Sequence, residues 1–552
     1  MSVRTRWLLL ACAAAILVGH SLVYNFVTDD AYISFVYSRN LAEHGELSFN
    51  LGHPVEGYTN FSWTVLLGLL MLMKIPPEIS SRVLGTLCAL GTLWLTFRIV
   101  TRALGASPGS AGARSNAKRC GESIAKSPWA VVAPILLACS SGFACWTSGG
   151  LETQLFTVLV TGALDALVAA YERPRAIRRM GVLLAFASMT RPEGPLVAVA
   201  FGAARYIQCL VTTRRWLPGK DELYAAAWFL GLWGPWFAWR WSYYGYPFPN
   251  TYYVKASGDW ANPAMADEMV SQGYYYLRVW LTQTRLVYML PFAAIGLAAP
   301  DARTPRFALT FGCALLALVY LPYAVSVGGD FMGLHRFIMP MFVIAAIAVV
   351  LGLETVFGRW PRVAAAVTAV IALAFAVTQI DLTRTSTLSC AHRDFAHGPD
   401  HCAADHGVID TPAFLMVYTE DRATIGRAMK DCFRPDDFSI LGGAGAQPYF
   451  AEMRGIDVFG LVSDTIAHGD PRTRARAGHT KWGSQANLAA YDPTFVFSCY
   501  KLHDTPTPPP LGCGWPGFEP ITMHIPGLLE QGEYYTFLAK KSRHFDCPGR
   551  VK

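Results

Sequence analysis

Residues 7–35 read WLLLACAAAILVGHSLVYNFVTDDAYISF, an apolar run that ends directly at two adjacent aspartates. The run over 7–27 is long enough to cross a bilayer as a helix. Its basic start and small residues also fit a secretory signal peptide, but many more apolar runs follow, so we expect a retained first helix. Asp29 and Asp30 then lie where lipid head groups meet water.

The composition indicates that lipid is the main solvent of the chain. Of 552 residues, 53% are hydrophobic and only 15% are charged, whereas soluble domains carry about 25% charged residues. A soluble protein would need one very large core, yet single cores stop growing at about 250–300 residues. The net charge of +7 is divided among short clusters between apolar runs, which is typical of membrane topology and argues against a nucleic-acid partner.

Eleven apolar stretches are candidate transmembrane helices by length and lack of charge. They cover 7–27, 80–101, 129–146, 152–171, 180–190, 194–211, 222–240, 285–299, 307–326, 337–357 and 363–380. If the connections rich in Lys and Arg are cytoplasmic, the eleven spans alternate without conflict. This topology requires that 61–73, which is short for a crossing, forms an interfacial or re-entrant helix.

The connections that are poor in basic residues then fall together on the outer face. They are 28–60, 147–151, 191–193, 241–284 and 327–336. The chain is therefore predicted to be mainly α, with a polytopic helical domain over 1–380 and an extracytoplasmic mixed α/β domain over 381–552.

The tail contains six cysteines, an even number that is compatible with disulfides in an oxidising compartment. The sequence does not choose among the possible pairings. The six are Cys390, Cys402, Cys432, Cys499, Cys513 and Cys547. The tail also contains SILGGAGAQ at 439–447, which imitates a nucleotide-binding turn. Its spacing favours a simple tight turn over a phosphate site.

The first outer loop carries the strongest candidates for catalysis. Burial at the membrane surface raises the pKa of a carboxyl group toward that of a useful base, which suits Asp29 or Asp30. Adjacent residues point in different directions, so one base is expected rather than a matched pair. The alternative is that the aspartates cap the following helix, and both roles can coexist. Glu56 in the same loop is a candidate ligand for a hydroxyl or a metal, or else a surface carboxylate.

Other outer connections supply cations and further polar groups. An ionisable pair at membrane depth, as in TRPEG at 190–194, indicates function by default. The candidate phosphate-binding residues are Arg191, Lys255, His335 and Arg336. An alternative for Lys255 and Arg336 is attraction to anionic head groups. A phosphate leaves as an anion and needs neutralising charge, whereas an acceptor hydroxyl needs a base, so the loops together predict transfer from a phosphate leaving group.

An ordered set of motifs resembles the bacterial membrane glycosyltransferases of the GT-C superfamily, and within it the branch that includes the mycobacterial terminal β-1,2-arabinofuranosyltransferases. The motifs are DDAYISFVYSRNLAEHGELSFNLGHPVEGYTNFSW (29–63), SGGLETQLF (148–156), TRPEG (190–194), YYGYPFPNTYYVK (243–255), GGDFMGLHRF (328–337) and IDVFGLVSDTIAH (456–468). The set spans the membrane region and reaches into the tail. The segment GYTNFSW at 57–63 departs from the arabinosyl branch, which leaves the sugar open.

The resemblance implies a polyprenyl-phosphate sugar donor, a glycan acceptor of the cell envelope and inverting transfer at the outer face of a bacterial inner membrane. It also implies a catalytic aspartate, carried onto Asp29 with Asp30 beside it, and in some members a divalent cation such as Mg²⁺ or Mn²⁺. The residues assigned to substrate binding are Glu56, Tyr58, Asn60, Glu152, Glu193, Asn250 and Asp330.

Two other functions share parts of this pattern. A transporter or flippase of lipid-linked sugars would place ionisable residues at mid-membrane and often shows inverted repeats, which the sequence does not display. A ligase that moves a whole glycan from a lipid carrier uses similar groups and differs only in its donor.

Overall fold

A computed structural model describes residues 3–105, 128–298, 302, 304–388, 403–405 and 409–551. The helices of the membrane region are α1 (Val3–Tyr24), α2 (Asp29–His44), α3 (Phe61–Leu72), α4 (Pro77–Gly105), α5 (Val132–Cys139), α6 (Ser141–Ser148), α7 (Thr153–Ala169), α8 (Ile177–Thr190), α9 (Gly194–Thr213), α10 (Lys220–Tyr244), α11 (Asn250–Lys255), α12 (Ala264–Gln283), α13 (Leu286–Leu297), α14 (Pro305–Ser326), α15 (Met339–Phe357) and α16 (Pro361–Leu388). Short 3₁₀ helices precede α5, α8 and α15.

Every predicted apolar stretch coincides with a helix or a bent pair of helices. Among the described residues, six helices are long and apolar enough to cross a membrane, and a bent pair brings the number to seven if it forms one span. The six are Arg4–Tyr24, Pro77–Gly105, Gly194–Thr213, Pro305–Ser326, Gly333–Phe357 and Arg362–Thr387. A multi-pass membrane protein is thus supported, while the count of eleven spans stays a prediction.

Two features of the membrane region position the candidate site. The bent pair, Trp129–Cys139 and Ser141–Ser148, turns by 62°, and its indole at Trp146 donates to the backbone oxygen of Gly333 at 3.0 Å. The segment predicted as a short interfacial helix forms α3, of 12 residues, packed against α2. Its Trp63 is fully buried and donates to the Gly150 oxygen at 3.0 Å.

The helix ends that the sequence assigns to the cytoplasm are joined to one another by ion pairs. Asp165 accepts from Arg98 at 3.1 Å and also contacts Arg102. Likewise, Arg205 binds Glu222 at 2.6 Å, and α14 is joined to α15 by Arg306. These contacts link connections that are predicted to lie on one side of the membrane.

The tail is built on a mixed five-stranded sheet. After the short pair β1 (Ala403–Asp405) and β2 (Ile409–Asp410), it contains α17 (Pro412–Ala428), β3 (Ser439–Leu441), α18 (Ala446–Ala451), β4 (Gly455–Asp457), α19 (Asp464–Gly469), α20 (Gln485–Ala489), β5 (Phe495–His503), β6 (Phe518–His524) and β7 (Tyr534–Lys540). The strand order is β4-β3-β5-β7-β6, with β4, β3 and β5 parallel and the remaining pairs antiparallel. Strands and helices are thus mixed here, as predicted.

Two disulfides close the tail, Cys432–Cys547 and Cys499–Cys513. Cys390 and Cys402 lie outside the described residues. One helical boundary differs from the prediction, because α16 continues to Leu388 instead of ending near 380. The predicted domain boundary at 381 therefore falls inside a helix.

The tail packs directly on the first outer loop. One buried apolar cluster contains Ile33 and Tyr37 of α2 together with tail residues such as Ile425 and Phe497. Apolar contact of this kind removes surface from water on both sides and holds the two parts together. The tail consequently covers the connection that contains α2.

Candidate active site

Charged and polar residues of four connections that are predicted to be on the outer face surround two small cavities beside the tail, each with a volume of about 90 Å³. Both cavities are lined by Thr59, Arg191, Thr251, Lys255 and Arg336. Asp30, Tyr58, Asn60 and Glu152 line the first, and Glu193 and Asp330 line the second. Residues far apart in the sequence thus converge at one end of the helical domain.

A buried network centred on Glu152 forms one wall of the cavities. The carboxylate of Glu152 accepts from the Asn60 amide at 2.8 Å and from the Arg191 guanidinium at 2.9 Å. Arg191 also donates to Glu193 at 3.2 Å. The Asn60 side-chain oxygen in turn accepts from Ser34 of α2 at 3.0 Å. Charge-assisted hydrogen bonds of this kind fix the direction of the guanidinium.

Arg336 forms the opposite wall. Its Nε donates to Asp330 at 2.6 Å, and its Nη2 lies 3.8 Å from the Asp30 carboxylate. The guanidinium is 5.6 Å from the centre of the Trp146 ring. One arginine is therefore shared by two carboxylates, and its position also depends on the bent helix pair.

Lys255 differs from the two arginines. Within the part of the chain that the structure describes, no hydrogen bond or ion pair engages its ammonium group, although it lines both cavities. Burial lowers the pKa of Lys255, and the nearby Asp30 opposes that effect. A partly buried cation without a bound partner is costly, and an anionic ligand would relieve that cost.

Asp29 and Asp30 begin α2 and face different surroundings. Asp30 lines the first cavity beside Arg336, whereas Asp29 contacts the tail and accepts from the backbone N–H of Ala446 at 2.8 Å. Burial raises the pKa of Asp29 to about 6, against the hydrogen bond from Ala446, and burial also raises the pKa of Asp30. Neither side chain makes a capping hydrogen bond, and the residue before them, Thr28, is the N-cap.

Three predicted substrate residues lie next to the cavities but are engaged elsewhere. Glu56 is not a free ligand, because it is buried and binds Arg240 of α10 at 2.6 Å. Asn250 donates to Asp464 of the tail at 2.8 Å and so holds the tail in place. Tyr58 lines the first cavity, but its hydroxyl bonds to that of Tyr244 at 3.1 Å. Glu56 and Asn250 therefore serve as supports in this arrangement.

The structure does not bring His335 to the cavities, in contrast to the sequence-based assignment. Both Leu334 and His335 adopt left-handed backbone conformations, with φ of 58° and 63°. This turn directs the imidazole toward Gln283, whose side-chain oxygen lies 3.0 Å from Nε2, and against the Tyr276 ring. The adjacent residue Arg336 is thereby turned the other way, into the site.

The sequence interpretation missed two contributors. Arg240 was counted within an apolar stretch, although a charge at that depth normally has a function or a partner. The tail loop that contacts Asp29 was interpreted only as a turn. No local sequence signal relates that loop to residue 29, since the two meet only in the folded chain.

No group of three or more His, Cys, Asp or Glu among the described residues is arranged to hold a metal ion. Asp30 and Asp330 both face Arg336, which occupies the place where a cation would meet them. The described residues do not fit a divalent-cation site, and a need for Mg²⁺ or Mn²⁺ stays a prediction.

No protein-family model and no curated protein matches the sequence. Among solved structures, the crystal structure of ArnT from Cupriavidus metallidurans bound to undecaprenyl phosphate is similar to this chain, with a TM-score of 0.52 and 13% identity over 83% of this chain and 86% of that chain. The apo state of the same protein gives 0.49 and 14% over the same shares. The cryo-EM structure of arabinosyltransferase EmbB from Mycobacterium smegmatis gives 0.29 and 17%, over 56% of this chain and 30% of that chain.

The similarity to the lipid-bound ArnT structure shows the fold. The chain therefore has the overall fold of that structure, in agreement with the GT-C fold that the sequence motifs predicted. The narrower arabinofuranosyl branch stays a prediction.

Proposed function

We propose that this GT-C chain is a glycosyltransferase that moves a sugar from a polyprenyl-phosphate donor to a hydroxyl of a cell-envelope glycan. The observation that carries the proposal is the ammonium group of Lys255, with which none of the described residues pairs, in a cavity that it shares with Arg191 and Arg336. Arg191 and Arg336 already have carboxylate partners. Lys255 would therefore supply the additional positive charge that a leaving phosphate needs, and the arginines would offer further N–H donors.

The two arginines and Lys255 would have different roles in binding the donor phosphate. Glu152 and Asp330 orient Arg191 and Arg336, respectively, through hydrogen bonds of 2.9 Å and 2.6 Å. Their guanidinium groups are therefore already in place before the donor binds, which reduces the cost of ordering. Lys255, for which the described part of the chain supplies no such partner, would form its ion pair only with the ligand.

Asp29 would act on the acceptor side as the general base. Its carboxylate takes the proton of the acceptor hydroxyl while that oxygen bonds to the anomeric carbon. The bond from that carbon to the phosphate oxygen breaks, and the polyprenyl phosphate leaves with the electron pair. Direct displacement of this kind inverts the anomeric centre. Asp30, which lies 3.8 Å from Arg336, is the neighbouring carboxylate between the donor phosphate and Asp29.

The location and the sugar are part of the same proposal. The positive-inside rule supports an outer-face site, and the two disulfides of the tail support an oxidising compartment. The bacterial inner membrane is proposed from the motif resemblance. Undecaprenyl phosphate, which is bound in the similar ArnT structure, is the class of carrier we propose. Arabinofuranose is the first sugar to test, from the motif resemblance.

The experiment uses the purified full chain in lipid nanodiscs with radiolabelled polyprenyl-phosphate arabinose, and in parallel with a hexose donor. We expect Lys255→Gln to weaken donor binding on the order of tenfold or more, because a charge-assisted contact is lost. The matched control is Lys501→Gln, which removes the same charge from an exposed position of the tail. Equal donor affinity in both variants would refute the role of Lys255.

Asp29→Asn tests the base in the same assay. We expect donor binding to persist and transfer to fall by about 100-fold or more, as for loss of a general base. Full turnover in this variant would remove Asp29 as the base. Donor binding without transfer by the wild-type chain, together with donor movement across the bilayer, would instead identify a flippase.

A further inference from the structure

The tail loop with the sequence GGAGA, Gly442–Ala446, lies between β3 and α18 and reaches the start of α2. The backbone N–H of Ala446 donates to Oδ1 of Asp29 at 2.8 Å. The sequence of the loop resembles a nucleotide-binding turn. In this protein the anion bound by its backbone is the Asp29 carboxylate. The candidate base thus depends on a residue of the tail.

The contact leaves no room for a side chain at Gly445. A Cβ atom placed there would overlap the carboxylate and the backbone oxygen of Asp29. At Gly442, by contrast, a Cβ would meet the Cα atom of Ser498 at 3.4 Å and the Phe497 oxygen at 3.5 Å, which are ordinary contacts. The close approach of Asp29 therefore requires glycine at position 445 but not at position 442.

Few charged groups act on the Asp29 carboxyl besides this hydrogen bond. Burial raises its pKa, the N–H of Ala446 lowers it, Asp30 raises it and Arg422 of α17 lowers it. Arg422 is buried between the Tyr418 and Tyr500 rings and binds Glu530 at 3.3 Å. Asp30 and Arg422 oppose each other, so Ala446 supplies the directional contact.

We propose that Ala446 is a positioning residue, whose backbone N–H sets the orientation and acidity of the Asp29 carboxylate, so that the tail completes the catalytic centre. This inference rests on the proposed role of Asp29 as the base. One carboxylate oxygen is held by the tail, which leaves the other oxygen to receive the proton. The sugar acceptor therefore approaches Asp29 at the junction between α2 and the tail.

Replacing Ala446 by its α-hydroxy acid analogue, lactic acid, through nonsense suppression converts the backbone amide to an ester. This change removes the N–H donor and keeps the buried methyl side chain, so no added atom meets the Asp29 carboxylate. Without the hydrogen bond the charged form of Asp29 is less stable, so its pKa rises. We expect the acid limb of the kcat/KM profile to move upward by about one pH unit, the equivalent of one hydrogen bond to a charged group. Turnover should be lost at low pH and recovered at high pH.

Gly445→Ala and Gly442→Ala form a matched pair for the same loop. The added methyl group at 445 displaces the carboxylate, so we expect kcat to fall by about 100-fold with donor binding unchanged, as for a misplaced catalytic group. The methyl group at 442 should leave kcat and the pH profile unchanged. Thermal unfolding of all three variants reports whether the tail still folds.

The outcomes separate this inference from the proposed function. An inactive Asp29→Asn variant together with a wild-type acid limb in the ester variant at position 446 overturns the role of Ala446 and leaves the base in place. Activity lost at every pH in the ester variant at position 446, or a wild-type kcat in Gly445→Ala, also overturns it. A fully active Asp29→Asn variant overturns both proposals together.

Discussion

Arg336 lies 3.8 Å from Asp30, the residue that follows the candidate base, although the two belong to the last and the first of the outer connections of the helical domain. This contact places Arg336, proposed to bind the donor phosphate, beside the pair of aspartates proposed to act on the acceptor. The same guanidinium binds Asp330 at 2.6 Å, so its position is fixed before a ligand arrives.

Replacing Arg336 should therefore impair transfer, and it should also lower stability, because Asp330 is left buried without its partner. We expect Arg336→Gln to lower kcat/KM on the order of 100-fold to 1000-fold, because a preorganised charge at the leaving group is lost. Arg336→Lys should recover only part of the activity, since lysine lacks the planar group that meets two carboxylates at once. Steady-state kinetics with the polyprenyl-phosphate donor measure both variants, and wild-type kinetics in Arg336→Gln would contradict the assignment.

The pH profile of the wild-type chain should show an acid limb near the pKa of Asp29, which burial raises to about 6. A general base works only when deprotonated, so kcat/KM should rise with pH up to about 6 and then remain level. The profile is measured with saturating acceptor and low donor concentration. An acid limb at the ordinary pKa of an aspartate, about 4, would argue against Asp29 as the base.

The buried pair of Glu56 and Arg240 should matter for stability more than for chemistry. Both side chains are nearly inaccessible, and the arginine Nη1 lies 2.6 Å from Oε2 of Glu56. Removing one partner leaves the other charge buried and unpaired, so Glu56→Gln should lower the free energy of unfolding by about 3–5 kcal/mol. Thermal unfolding in detergent detects this loss.

A double variant separates the two roles of Glu56. If Glu56→Leu combined with Arg240→Met restores stability and also keeps donor binding, the pair is purely a support, because well-packed apolar residues often replace buried ion pairs without loss. If stability returns but donor binding remains lost, Glu56 has a direct part in the substrate site, as the sequence analysis first suggested.

Sidedness can be tested by cysteine labelling in whole cells. His53→Cys in the first outer loop and Asp504→Cys in the tail are exposed positions that should react with an impermeant maleimide. Arg175→Cys, exposed between α7 and α8, should react only after the cells are opened. The unmodified chain provides the background. Labelling of residue 175 in intact cells would invalidate the topology, since the positive-inside rule places it in the cytoplasm.

The helices of the membrane region could be predicted from the sequence, because hydropathy and length are local properties. The same holds for the gathering of Asp30, Glu152, Arg191, Lys255 and Arg336 at one end, since alternating spans return their connections to a common side. The convergence of these polar residues could be predicted from the order of the spans alone, without knowledge of any tertiary contact.

Side-chain direction was not predictable in the same way. The sequence treats His335 and Arg336 as equivalent cations, yet a left-handed turn at 334–335 sends one toward Gln283 and the other into the site. Nor can a sequence pattern relate Asp29 to Ala446 or Glu56 to Arg240, because each pair is brought together only by tertiary packing.

Strand β7 lies inside the tail sheet, between β5 and β6. The sheet, and with it the site, can therefore form only after the last strand has been synthesised. Residues 534–540 must leave the ribosome before that sheet can close, and by then all the apolar helices have already been translated. Insertion into the bilayer and maturation of the acceptor junction are therefore successive events in biogenesis. A nascent chain whose helices are already in the membrane would contain Arg191, Lys255 and Arg336. It would still lack the folded tail that brings the Ala446 N–H to Asp29.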